Sequence, residues 1–125
     1  MLELFLSEGF FALKKVSANS NITHMNWYKV LENASEIAEN QVMEATAGGR
    51  TIALSKVNGV ICALGGECSH EGGPLGKGDI ENGHLVCPWH GWEFEPCTGR
   101  DVYNPARGVE SFTVEVRGDG VYVEV

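Results

Sequence analysis

Two short stretches carry the side chains that bind metals through sulfur and nitrogen: Cys68-Ser-His70 and Cys87-Pro-Trp-His90, with sixteen residues between them. The segment from 68 to 99 holds three of the chain's four cysteines and three of its four histidines. Two thiolates and two imidazoles suit either zinc or an iron–sulfur cluster. Structural zinc pairs usually leave about two to four residues between ligands, so that both close on one ion. Cys68-x-His70 leaves one, awkward for chelating a single ion but natural for reaching two adjacent irons. Each stretch would then give its Cys to one iron and its His to the other. Two ferric ions, two sulfides and two thiolates sum to neutrality. One added electron leaves a single negative charge, so such a group would carry one electron with no obligate proton partner.

These residues must be brought together by what surrounds them. Turn dipeptides punctuate the chain at Asn58-Gly59, Asn82-Gly83 and Asp119-Gly120, with Gly48-Gly49 a fourth candidate; each supplies the positive φ of a two-residue hairpin. The apolar runs between them read as strands over 27–30, 42–46, 51–57, 60–64, 84–86, 92–94, 112–116 and 121–125. Phe112, Val114 and Val116 alternate with Thr113 and Glu115, the two-residue period of a half-buried strand. Only 33–40 reads as helical, for a turn or two. The expected fold class is all-β and antiparallel, a sandwich or small barrel. Cys68-Ser-His70 follows a strand in a loop rich in glycine, and Cys87-Pro-Trp-His90 leaves the 79–86 hairpin. Both loops can meet at one end of a sheet.

Cys68-x-His70 followed by Cys87-x-x-His90 resembles the signature of Rieske 2Fe–2S proteins, in which two His replace two Cys on one iron. "CSHEGGPL", "CPWHGWEF", the "TGR" at 98–100 and Pro105 are similar to Rieske-type ferredoxins, so the likeness runs from about residue 26 to the end. The resemblance implies a Rieske-type fold with a cluster-binding subdomain of two ligand loops and one 2Fe–2S cofactor. Cys68 and Cys87 would ligate the buried inner iron, and His70 and His90 the outer iron near the surface. Gly72, Gly73 and Gly91 would shape the loops and give N–H groups to the sulfides. The segment Asn104-Pro105-Ala106-Arg107 would form a third loop over the cluster.

Respiratory-chain relatives carry a further Cys in each ligand loop, joined by a disulfide, where this chain has Gly73 and Trp89. High-potential relatives resemble "CPCHGSxY", whose Ser and Tyr hydroxyls bond cluster sulfurs; here those places hold Trp92 and Phe94. Hydrogen bonds to the sulfurs favour the reduced cluster, so their lack implies a potential near the lower end of the Rieske range of about −150 to +300 mV. The resemblance therefore points to an electron carrier between a flavoprotein reductase and a terminal oxygenase. It does not point to an enzyme, since no second His/carboxylate constellation accompanies the motif. A nitrite reductase small subunit, working with a large subunit, and a cluster-bearing redox sensor are the alternatives.

Composition bounds the rest. With 125 residues and 43% hydrophobic content, the chain can bury a core without disulfide support. A net charge of −8 argues against a nucleic-acid partner. No apolar run approaches the roughly 20 residues of a spanning helix, and Glu3 and Glu8 interrupt the early apolar clusters, against a secretory leader. The expectation is a monomeric cytoplasmic protein with no membrane contact. Residues 1–24 read as an extension, with a helical turn near 10–15, and residues 25–125 as the domain that carries the whole negative charge. Sparse Cys grouped with His favours metal chemistry in a reducing compartment. Cys62 reads as a small core residue and Cys97 as packed behind the cluster, a disulfide between them being the less favoured arrangement. His84 reads as solvated, and His24 gets no role. Trp89, Trp92 and Phe94 read as a cap and core around the cluster, with Trp89 alternatively on a docking face, and Glu67, Glu71, Glu93 and Glu95 read either as solvated or as an acidic rim for a docking partner.

Overall fold

Four two-residue turns set the registers of the sheets. The computed structural model describes residues 26–69 and 72–125; the extension, its helical turn, His24, His70 and Glu71 lie outside them. Asn58-Gly59, Asn82-Gly83 and Gly48-Gly49 all have positive φ at both residues, the type I′ pattern whose twist matches the flanking strands. The last hairpin differs from expectation by one residue. Gly120 pairs with Arg117, so its turn is Gly118-Asp119, with positive φ at Gly118 alone. Glycine in the first central position is the type II′ solution.

The strands are β1 (Trp27–Leu31), β2 (Gln41–Ala47), β3 (Arg50–Val57), β4 (Val60–Gly65), β5 (Asp79–Glu81), β6 (His84–Val86), β7 (Glu93–Phe94), β8 (Ser111–Arg117) and β9 (Gly120–Glu124). A six-stranded sheet runs β1-β9-β8-β4-β3-β2 and a three-stranded sheet β5-β6-β7, with every neighbour antiparallel. The molecule is nearly all β, a curled half-barrel bearing a small second sheet, which agrees with the expected Rieske fold. The expected helix shrinks to a single 3-10 turn, Ala34–Glu36. The Asn33 side chain accepts the Ser35 N–H and Glu36 accepts the Asn33 N–H, a reciprocal capping box. Ile37 then turns extended and sinks into the core.

Strand β3 joins two cores because both its faces are covered. Ile52 and Leu54 point into the half-barrel with Leu31, Ile37, Val121 and Val123. Ala53, on the other face, packs with Leu64, Leu75, Leu85, Phe94, Cys68 and Cys87. The small sheet is thereby seated on the large one through apolar contact.

A covalent tie adds to this seating. Cys62 of β4 and Cys97, in the turn after β7, form a disulfide closing 35 residues of chain, their Cα atoms 5.0 Å apart. This corrects the reading of Cys62 as a core residue and Cys97 as packing behind a cluster. Cys62 is half-buried and Cys97 exposed. Sequence spacing alone could not show the pairing, because the fold sets it: β4 lies where the turn after the small sheet returns to the large one.

Candidate metal centre

Two loops of the same construction carry the candidate ligands. In the first, the Cys68 N–H donates to the Gly73 carbonyl at 2.8 Å and the Gly72 N–H donates to the Cys68 carbonyl at 2.8 Å. In the second, the Cys87 N–H donates to the Trp92 carbonyl at 2.8 Å and the Gly91 N–H to the Cys87 carbonyl at 3.0 Å. The pattern from cysteine to fourth and fifth residue is identical. Each loop closes through a glycine in the left-handed region, Gly72 at φ 76° and Gly91 at φ 75°, where a side chain would be strained.

The closure places both cysteines inward. Cys68 and Cys87 are each 3% exposed, lie in the same apolar cluster and take no part in a disulfide. His90, three residues beyond Cys87, is exposed. Gly73 completes the cradle: a Cβ built there would lie 2.8 Å from the Cys87 sulfur and 3.1 Å from the Trp89 ring. Two buried thiols in one apolar cluster and an exposed imidazole are the donor types that a cluster with one inner and one outer metal would take; among the described residues no three such side chains close on one ion. Two soft sulfurs held among apolar neighbours also suit iron–sulfide chemistry better than a hard cation.

A third loop is sewn to the second. The Glu93 carbonyl accepts the Val102 N–H at 2.9 Å, and Phe94 makes an isolated antiparallel bridge to Asp101. Asp101 is 2% exposed. Its Oδ1 accepts the N–H groups of Tyr103 and Asn104 at 2.8 and 3.0 Å, and its Oδ2 accepts Arg107 Nε at 2.9 Å. Burial works against this carboxylate, but the Arg107 and backbone hydrogen bonds and the guanidinium charge outweigh it and hold Asp101 below the usual carboxylate range. The Arg107 guanidinium lies 3.8 Å from the Trp92 ring centroid. Asp101, Tyr103 and the Arg107–Trp92 contact escaped the sequence reading. An Asp two residues before a Tyr-Asn pair is an Asx-turn signal that could have flagged the first.

Two further expectations change. His84 is half-buried, not merely solvated: Nδ1 lies 3.1 Å from Glu93 Oε1 and Nε2 3.6 Å from Glu95 Oε2. Glu93 also accepts the Tyr103 hydroxyl at 2.9 Å, and this bond raises the Tyr103 pKa. Glu93 is therefore a half-buried structural acceptor, leaving Glu67 and Glu95 as exposed acids near the described ligand loops. Trp89 is 56% exposed beside the second loop.

Comparison with known proteins bears on family and fold. The model of the Rieske [2Fe-2S] domain matches residues 26–113. The ferredoxin component of a naphthalene 1,2-dioxygenase system from Pseudomonas aeruginosa is 31% identical over 91 residues, 72% of this chain and 88% of that relative. A chain in the complex of reduced oxygenase and oxidized ferredoxin in carbazole 1,9a-dioxygenase superposes with a TM-score of 0.69 at 29% identity, covering 78% of this chain and 91% of its own. A nitrite reductase small subunit from Mycobacterium tuberculosis superposes with a TM-score of 0.74 over 81% of this chain and 96% of its own, at 15% identity, a likeness of fold alone.

Proposed function

This chain belongs to the Rieske [2Fe-2S] family, and from that premise we propose that it is a one-electron carrier, accepting electrons from a flavoprotein reductase and passing them to a terminal oxygenase. The observation that carries the proposal is the pair of like-built loops, in contact at Gly73 and Trp89, that hold two buried thiols and an exposed imidazole. Cys68 and Cys87 would hold the inner iron as thiolates, and His70 and His90 the outer one. A 2Fe–2S cluster bound there supplies reversible one-electron chemistry.

The protein's own part is to bind, shield and expose. Leu75, Leu85 and Phe94 keep water from the thiol side, while His90 reaches the surface where a partner can approach. Exposed Trp89 stands beside it as an apolar contact. No helix among the described residues is long and apolar enough to cross a membrane. A cytoplasmic monomer acting as a component rather than an enzyme belongs to the same proposal. The oxygenase assignment is favoured over a nitrite reductase subunit because a relative at 31% identity, covered over 88% of its own length, is the ferredoxin component of a dioxygenase system, whereas the reductase likeness is one of fold.

Reconstitution tests it. Purified protein should restore turnover when added to a flavoprotein reductase and a terminal oxygenase of the naphthalene-dioxygenase type that lack their own ferredoxin. His90→Ala protein should not. Reduction by the flavoprotein without transfer to any such oxygenase, together with copurification of a sirohaem subunit, would replace the oxygenase role with the reductase one.

A further inference from the structure

We propose that Arg107 is a positioning residue for the second ligand loop, holding Trp92 in place so that the Trp92 backbone fixes Cys87. The inference rests on the carrier reading for its spectroscopic consequence, and on the contact geometry alone for its mechanics. The chain of contacts begins at a buried acid. Asp101 uses Oδ1 on two backbone N–H groups and Oδ2 on Arg107 Nε, and its own N–H donates to the Arg107 carbonyl at 3.0 Å. Arg107 is thus held to one anchor through backbone and side chain. Its guanidinium, planar and fixed at Nε, lies 3.8 Å from the centre of the Trp92 ring. The Trp92 carbonyl in turn accepts the Cys87 N–H at 2.8 Å.

The surroundings show why the stack matters. An open cavity of about 290 Å³ lies beside it, lined by Gly91, Trp92, Asp101, Tyr103 and Arg107. The indole packs on one side against the cluster of Leu75, Leu85 and Phe94. Arg107 covers the ring beside the cavity. Its charge is matched by Asp101, so Arg107 acts on the loop mainly through shape and stacking, and only secondarily through field. Lysine could keep the charge, but it lacks the flat face and the fixed fork.

The test uses cluster-loaded protein with wild-type sequence, Arg107→Lys, Arg107→Gln and Trp92→Phe, each checked for folding by circular dichroism. Three properties are read: the g-values of the dithionite-reduced EPR spectrum, the midpoint potential, and hydrogen exchange by mass spectrometry in a peptide spanning the Cys87 amide. Both Arg107 variants should alter the g-values and shift the potential. They should also speed exchange in that peptide by roughly 2- to 30-fold, the population change released by a cation–π contact of ordinary strength. Trp92→Phe, which keeps a ring for the guanidinium, should change all three less. Arg107→Lys indistinguishable from wild type would overturn the proposal by showing that charge suffices; Arg107→Gln indistinguishable from wild type would show that Arg107 positions nothing. If Arg107→Gln fails to fold, the lysine variant decides between these outcomes. Wild-type protein without a Rieske EPR signal would refute the carrier reading, and the exchange measurement would still decide the role of Arg107.

Discussion

The Trp89 ring lies against Gly73, so that a Cβ at Gly73 would stand 3.1 Å from the indole and 2.8 Å from the Cys87 sulfur. The two ligand loops touch here without a covalent link, at the two positions where respiratory relatives carry their additional cysteines. Their approach therefore depends on the absence of a side chain at Gly73. Gly73→Ala should push the loops apart, and the variant should purify with less than half the iron of wild type, measured by iron and labile-sulfide assay. Gly59→Ala, by contrast, strains a left-handed glycine, and its Cβ would meet nothing within 4 Å. It should cost about 1 kcal/mol of stability and leave cluster content unchanged.

The Cys62–Cys97 disulfide ties the small sheet to the large one at another point. Closing 35 residues should stabilise the fold by about 3–4 kcal/mol on the chain-entropy account. Cys97→Ser should lower the denaturant midpoint accordingly, and thiol titration of the unfolded, metal-free wild type should find two reactive cysteines. Four thiols, with no stability change in the serine variant, would show that the bond does not form in solution.

Asp101 has a depressed pKa, so its contribution to stability is fully present above its unfolded value of about 3.9 and is lost as pH falls through the lower folded value. Asp101→Asn should cost about 1–3 kcal/mol near neutral pH, and the gap between variant and wild type should narrow on acidification below about pH 4. Urea unfolding across pH 2.5–7 reads this directly. A gap that stays constant over the range would remove the charged Arg107–Asp101 bond from the account.

Phe94 is fully buried in the cluster that contains both candidate thiols. High-potential relatives have a Tyr hydroxyl on cluster sulfur at this place, so Phe94→Tyr should raise the midpoint potential by roughly 65–130 mV, the one-electron equivalent of about 1.5–3 kcal/mol for one hydrogen bond to a charged group. Trp92→Ser is a weaker test of the same idea, because it also removes the ring on which Arg107 stacks. An unchanged potential in a folded Phe94→Tyr protein would discard the hydroxyl argument.

Much of the fold was legible because short-range chemistry dictated it. Asn-Gly and Gly-Gly turns admit few backbones, and the strands between them fell within a residue or so of expectation. The last hairpin slipped by one because Gly118 and Gly120 both suit a turn, and only the pairing of Arg117 with Gly120 decides between them. The loops bearing Cys68 and Cys87 were legible from spacing. What held them was not: the Arg107–Trp92 stack, the Glu93–Tyr103 bond and the Cys62–Cys97 disulfide join residues whose proximity comes from sheet packing. Glu93 read as a rim acid for the same reason, since nothing local tells a solvated glutamate from one facing His84.

The central claim is that the two cysteine loops hold a Rieske 2Fe–2S cluster, and one measurement meets it directly: iron and sulfide content with the EPR spectrum of the dithionite-reduced protein. Two irons and two labile sulfides per chain are expected, with an EPR signal that appears on reduction and is lost or altered in His70→Ala and His90→Ala but not in His84→Ala. Stoichiometric zinc in a colourless, EPR-silent protein, or a signal indifferent to both ligand histidines, would contradict it.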